Sequence, residues 1–355
     1  MPAEWAPHAG TWMAWPTRLD VWRAGAAPAR AAFTDVILAI ARFEPVTVIA
    51  DPAAWAEARA ALPDHVRVVE MRHDDSWLRD SGPTVVLGEI SNCPQPTIRL
   101  PVGIDWAFNG WGDLYGSFEQ DKLVARKLCG VERMPYVSVD MVLEGGSIHV
   151  DGEGTMLTTE ECLLHPNRNP SMTKADIEAE LKRYTGVTKV VWLPKGLAFD
   201  DDTNGHVDNF ACFAEPGVVL LAWSDDENDP QYAISREALE VLSRERDTKG
   251  RPFRVVKLPC PPPLYRTQEE WETLDEEGRK NRHAGERLAA SYANFYVCNG
   301  AVIMPAFGLP DHDAAAAAAL KAAFPGRTVV AVGTREIVLG GGNVHCITQQ
   351  QPALP

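Results

Sequence analysis

Apolar residues recur along this chain in two alternating rhythms. One has helical spacing: Phe33, Val36, Ile37 and Ile40 share one face of a helix predicted over residues 29–43. Residues 120–128 and 174–184 read the same way, and Thr173 with Asp176 has the spacing of a capping box at the start of the second. A helix over 230–245 opens with Asp229-Pro230, and an alanine-rich stretch predicts another over 313–324. The second rhythm is the short, nearly continuous apolar run of a buried parallel strand. Val46-Thr-Val-Ile-Ala50, Tyr136-Val-Ser-Val139, Lys189-Val-Val-Trp-Leu-Pro194, Phe253-Arg-Val-Val-Lys-Leu-Pro259 and Thr328-Val-Val-Ala-Val332 each follow one of these helices. Val66-Arg-Val-Val-Glu70 follows a further short one.

Between these segments lie hairpins. Asp80-Ser-Gly-Pro-Thr-Val-Val-Leu87 begins one; residues 146–150 and 155–159 flank Asp151-Gly-Glu-Gly154 in a second. Residues 208–213 and 218–223 flank Glu215-Pro-Gly217, and residues 294–297 and 301–304 flank Cys298-Asn-Gly300. Asn343-Val-His-Cys-Ile-Thr348 reads as the opening half of a fifth, with Thr11-Trp-Met-Ala-Trp15, at the other end of the chain, as its partner. The order strand, strand, helix, strand thus occurs five times. It predicts an α/β fold in which five ββαβ units close into one ring, a single catalytic domain over residues 1–355, with the polar junctions ahead of each hairpin gathered at its centre.

Charge narrows the function. With 34 Lys and Arg against 49 Asp and Glu, the formal charge is 34 − 49 = −15. No basic block is present to displace counterions from a phosphate backbone, so a nucleic-acid partner is not expected, whereas a cationic substrate suits the excess. The seven cysteines are odd in number and include no Cys-x-x-Cys pair, which argues against a zinc ribbon or a disulfide framework. The first residues carry no basic, then apolar, leader, and no uniformly apolar stretch reaches the ~20 residues of a bilayer span. The expectation is a cytoplasmic protein with reduced thiols and no membrane contact.

Chemistry concentrates at the junctions. Asp74-Asp-Ser-Trp77-Leu-Arg-Asp80 is either an acidic turn with an Asp cap or a carboxylate set beside an aromatic wall. Glu144-Gly-Gly-Ser-Ile-His149 puts a carboxylate before two glycines that permit close backbone approach. Read as a strand, residues 205–210 place His206 and Asp208 on one face. A His-x-Asp pair can ligate metal, but no second such element completes a shell, so acid–base work is preferred. Three glycines precede Cys346, letting a small ligand approach its thiol. The same period of two turns His345 to the opposite face, leaving His206 as the partner of Cys346. A thiol, an imidazole and three carboxylates suit a planar cation, because a guanidinium is a fixed fork of donors that carboxylates clamp in bidentate pairs.

These clusters resemble the agmatine deiminase family, within the guanidino-group-modifying superfamily and its five-bladed α/β-propeller, or pentein, fold. The similarity runs from Glu4-Trp-Ala-Pro-His8 through Asp75-Ser-Trp-Leu-Arg-Asp80, Asp105-Trp-Ala-Phe-Asn-Gly-Trp-Gly112, Glu144-Gly-Gly-Ser147 and Asn204-Gly-His-Val-Asp-Asn209 to Gly340-Gly-Gly-Asn-Val-His-Cys346. The resemblance implies Cys346 as a nucleophile forming a thiouronium intermediate, His206 as acid and base, Asp80 and Asp208 as guanidinium clamps, Glu144 as a further carboxylate contact, and Trp77 lining the pocket. It implies agmatine as substrate, N-carbamoylputrescine and ammonia as products on the way to putrescine, no cofactor, no metal, and a homo-oligomer, commonly a dimer. Phe199-Asp-Asp-Asp202 departs from the family pattern; Asp200, Asp201 and Asp202 are either a solvated loop or an attraction for the ammonium tail. Three rivals stand beside this reading: a manganese ureohydrolase using metal-bound hydroxide, a peptidyl-arginine deiminase of the same superfamily, and a non-catalytic ring of the same fold used for binding, which would not need Cys346, His206 and both aspartates.

Overall fold

In the computed structural model, which describes residues 1–90 and 98–354, the strands form five small sheets with one plan. Cys93 lies outside the described residues. In each sheet two antiparallel strands are followed by a third that runs parallel to the second, as a helical crossover requires. The triplets are Thr84–Ile90, Ile98–Ala107 and Tyr136–Val142; Ile148–Val150, Thr155–Thr159 and Lys189–Leu193; Ala211–Glu215, Val218–Trp223 and Arg254–Pro259; Tyr296–Cys298, Ala301–Ala306 and Thr328–Gly333. The remaining sheet joins the ends of the chain. Thr348–Pro352 pairs antiparallel with His8–Ala14, and Val46–Ala50 and Arg67–Glu70 add in parallel. The five predicted ββαβ units are all present, and the one that spans the termini closes the ring.

The helices form where the spacing puts them. Lys174–Thr185 is opened by the reciprocal Thr173 and Asp176 capping box and closed by Gly186 at φ +74°. Ala27–Ala41 buries Phe33, Val36, Ile37 and Ile40. Residues 24–41 are apolar enough for a membrane span by composition. However, Gly25 and Ala26 are left-handed, so the regular helix is 15 residues, or about 22 Å, short of the ~30 Å hydrocarbon core. Burial falls outward within a sheet: Val218–Trp223 is buried at every position, while its neighbour Arg254–Pro259 is buried only at Leu258.

Two strand predictions at the junctions are corrected. Residues 205–210 are not a strand: Asn204 and Gly205, at φ +58° and +79°, reverse the chain into a single 3-10 turn, Val207–Asn209. Residues 343–347 are turns held by Ile347 N–H to Asn343 O and Thr348 N–H to His345 O, and the strand begins only at Thr348. The period of two therefore applies to neither segment.

Candidate active site

Each sheet sends one polar segment to the centre immediately before its first strand. Asp80 lies in the helical turn Leu78–Ser81 ahead of Thr84; Glu144 and Gly146 precede Ile148; His206 and Asp208 precede Ala211; Asn294 precedes Tyr296; Cys346 precedes Thr348. The rigid hairpins fix where these short segments end, so residues far apart in sequence converge.

Six sequence-predicted residues come together here, all buried. The Cys346 sulfur lies 3.6 Å from Asp208 Oδ2 and accepts a hydrogen bond from Asn294 Nδ2 at 3.1 Å. The Asn294 side-chain oxygen accepts from the backbone N–H of His345 and of Cys346, so one amide holds both thiol and turn. His206 lies between carboxylates, Nδ1 at 3.9 Å from Asp80 Oδ1 and Nε2 at 3.7 Å from Glu144 Oε2. Arg168 Nε donates to the other Glu144 oxygen at 2.7 Å. Asp80 accepts from Gly146 N–H at 2.9 Å and from Trp111 Nε1 at 3.0 Å. Asp75, accepting from the indoles of both Trp22 and Trp77, orients Trp77 on the wall.

Burial makes these charges consequential. It pushes the Asp80 carboxyl up, with Asp208 and Glu144 adding to the effect. For His206 burial disfavours the charge, but Asp80, Cys162 and Glu144 outweigh it and hold the imidazole well above its ordinary range. Glu144 resists burial through Arg168 and His206, and Asp208 through His345, so both carboxyls stay below their usual values. The Cys346 thiol is raised well above normal by burial and by Asp208 and Asp80. Without a cation the site therefore favours a protonated thiol beside an imidazolium. Among the described residues of this cluster, four buried polar atoms have no hydrogen-bond partner: both His206 nitrogens, Glu144 Oε2 and Asp208 Oδ1. Such groups are costly unless something with complementary hydrogen-bonding capacity arrives.

A cavity of about 290 Å³ reaches this cluster between Trp77, Trp111, Tyr115 and Gly340–Gly342, with Asp80 and Cys346 on its wall. Glycines 340 and 342 are needed there, since a Cβ on Gly342 would sit 2.6 Å from the Trp77 ring and 3.0 Å from the Cys346 sulfur. The run Gly110–Asp113 is left-handed throughout and delivers the Trp111 indole to Asp80. Of the three rim aspartates, Asp200 is buried and structural, accepting from Thr203 and Asn209, its carboxyl lifted by burial to about 6. Asp201 is exposed, and only Asp202 lines the cavity, where Arg282 grips both its oxygens. Arg282 also donates to Tyr115 and to Gly340 O.

Among the described residues one group has metal-ligand spacing, Glu144 with Cys162 and His206. Arg168 already brings a full positive charge to Glu144, and His206 is held toward its protonated form, so the group is balanced for protons rather than for a dication. Asn294, Arg168, Trp111, Glu4 and His345 also belong to the site, and the sequence assigns none of them a role there. The first was within reach: four units place a chemical residue just before the first strand, and Asn294 fills that place in the fifth. Arg168 and Glu4 carry no such mark.

The family model of Porphyromonas-type peptidyl-arginine deiminases matches residues 1–352. The chain is 56% identical to an agmatine deiminase of Medicago truncatula, covering 100% of this chain and 96% of the relative. It is 53% identical to an agmatine deiminase of Pseudomonas aeruginosa, covering 99% and 95%. The solved agmatine deiminase of Enterococcus faecalis superposes with a TM-score of 0.92 at 41% identity, covering 99% and 95%. Matched along its length in sequence and in fold, the chain belongs to the Porphyromonas-type peptidyl-arginine deiminase family, with agmatine deiminases among its relatives.

Proposed function

We propose that this chain, as one catalytic unit over residues 1–355, hydrolyses the guanidinium of agmatine to N-carbamoylputrescine and ammonia. The observation that carries this reading is the bare Asp208 Oδ1, buried beside a cavity that ends on Asp80 and the Cys346 thiol. Two carboxylates flanking a sulfur fit a planar fork of N–H donors whose carbon then faces that sulfur. Arrival of the cation offsets the two aspartates that hold the thiol pKa up, and the thiol loses its proton to solvent. The thiolate attacks the guanidinium carbon and forms a C–S bond; His206 gives its proton to the departing nitrogen, and ammonia leaves. His206 then takes a proton from water, hydroxide adds to the thiouronium carbon, and collapse breaks the C–S bond, releasing the ureido product and restoring the thiol. Glu144 steadies the imidazolium and contacts the substrate, and Trp77 packs on its stem. No metal or cofactor enters these steps, and reducing, cytoplasmic surroundings suit a thiol nucleophile.

The test measures ureido product from agmatine, free arginine and an arginine peptide, with and without chelator. Agmatine turnover that is chelator-resistant and exceeds that of both arginine substrates is expected. Preference for the peptide would favour the peptidyl-arginine reading, and loss with chelator a metal hydrolase. Asp202 is assigned to the ammonium tail, because it is the rim aspartate on the cavity wall. Asp202→Asn should raise KM for agmatine roughly tenfold at low salt, since it removes a carboxylate and leaves the Arg282 charge unpaired. The exposed Asp201→Asn should leave KM unchanged; an unchanged KM in Asp202→Asn would place the tail elsewhere.

A further inference from the structure

We propose that His345, pinned by Glu4, is a positioning residue that occupies Asp208 Oδ2 so that Oδ1 is the oxygen left for the guanidinium. This deepens the agmatine reading and rests on it. His345 is 3% exposed. Its Nδ1 lies 2.8 Å from Asp208 Oδ2 and its Nε2 2.7 Å from Glu4 Oε1. A neutral imidazole has one N–H and one lone pair, so it would turn a lone pair on one of these carboxylates; only the imidazolium donates to both. Burial and Arg79 disfavour that charge, but Glu4 and Asp208 outweigh them and raise the imidazole pKa.

The other groups facing this chain of charges have their own places. Arg79 lies 3.5 Å from Glu4, donates to Gln350 and points Nε at His345 O. His149 Nε2 lies 3.5 Å from the second Glu4 oxygen, and its Nδ1 accepts from Phe213 N–H. The buried Cys212 thiol stands near Glu4 and Asp208, and Cys346 touches Asp208 alone of the carboxylates. Of these only the Cys346 thiol reaches Asp208 Oδ2, at 3.6 Å against 2.8 Å for His345, and as a thiolate it has no proton to donate. Without His345 the carboxylate keeps only the long contact to the Cys346 thiol and is free to rotate about its last bond, taking Oδ1 out of place, which costs substrate affinity rather than chemistry. Glu4 acts one step further out, by keeping His345 charged; with Gln at position 4 the imidazole retains one carboxylate neighbour and loses its proton at a lower pH.

The experiment follows KM and kcat for agmatine from about pH 6 to about pH 8.5 in wild type, Glu4→Gln and His345→Gln. In His345→Gln, KM should rise roughly tenfold at every pH with kcat changed less, as loss of ground-state contact predicts. In Glu4→Gln, KM should match wild type at low pH and climb roughly tenfold toward high pH, following deprotonation of His345. A Glu4→Gln profile parallel to wild type, or a loss equal at all pH values, overturns the proposal, the second being what a merely structural role gives. Thermal unfolding establishes that the variants fold. Protection of Cys346 from iodoacetamide by agmatine repeats the measurement without turnover. If wild type makes no ureido product yet protection shows these pH profiles, the proposed reaction fails and the positioning role stands; product with flat profiles gives the reverse.

Discussion

Cys346→Ser should lower kcat for agmatine by at least about 10⁴-fold while leaving agmatine binding intact, because a hydroxyl in this setting has no route to the anion. Burial and two carboxylates already disfavour the thiolate, and it forms only when a cation lies between them; an alcohol, several pKa units less acidic, stays protonated under the same help. Binding survives because Asp80 and Asp208 keep their positions: Asp80 is fixed by Gly146 and Trp111, Asp208 by His345. The check is single-turnover product formation alongside calorimetric titration with agmatine. Residual turnover of a few per cent or more would show that the sulfur is not the nucleophile. An inert variant that also fails to bind would mean that the side chain shapes the pocket instead.

A second large loss is expected where no chemical group is removed. Gly146→Ala should reduce kcat/KM by about 10²- to 10³-fold, since errors of about 1 Å in the placement of reacting groups cost that much. A methyl there would stand 2.6 Å from His206 Nδ1, 2.9 Å from Asp208 Oδ2 and 3.0 Å from Asp80 Oδ1. Those three atoms surround one point, and the missing side chain is what lets them. All three belong to buried groups with no slack, so relief must come from moving an imidazole or a carboxylate out of register. Gly130→Ala, where an added Cβ meets nothing within 4 Å, serves as the control and should keep wild-type activity. Activity within threefold of wild type in Gly146→Ala would mean that the site tolerates displacement of its acid–base group.

Much of this architecture was legible because its signals are local. The capping box at Thr173, the apolar stripe through Phe33 to Ile40 and the turn residues between strands each depend on neighbours a few positions away, and their fivefold recurrence announced the ring. The six residues read from sequence do converge. What failed was the geometry assumed for them. His206 with Asp208, and His345 with Cys346, were placed by a strand period in segments that are turns, and left-handed Asn204 and Gly205 were the cue for the first. A period of two turns His345 away from the site, whereas in the turn it and Cys346 both reach Asp208. The roles of Arg168 and of Glu4, although Glu4 opens the family resemblance, could not be read for another reason: a buried charge is chosen by its partner, and the partners lie 24 and 341 positions away.

The clasp between Thr348–Pro352 and His8–Ala14 also bears on when the protein can first act. Chains emerge from the ribosome N-terminus first, and domains condense as their segments become available. Here four sheets can assemble while the fifth still lacks Thr348–Pro352, which is made after all of their strands. Asp80, Glu144, His206 and Asp208 all precede the strands of those sheets or lie among them. Cys346 lies just ahead of Thr348–Pro352 and is held with it. The pairing of longest sequence separation, and so the slowest kind to form, therefore sets when Cys346 joins the carboxylates and the imidazole at the centre.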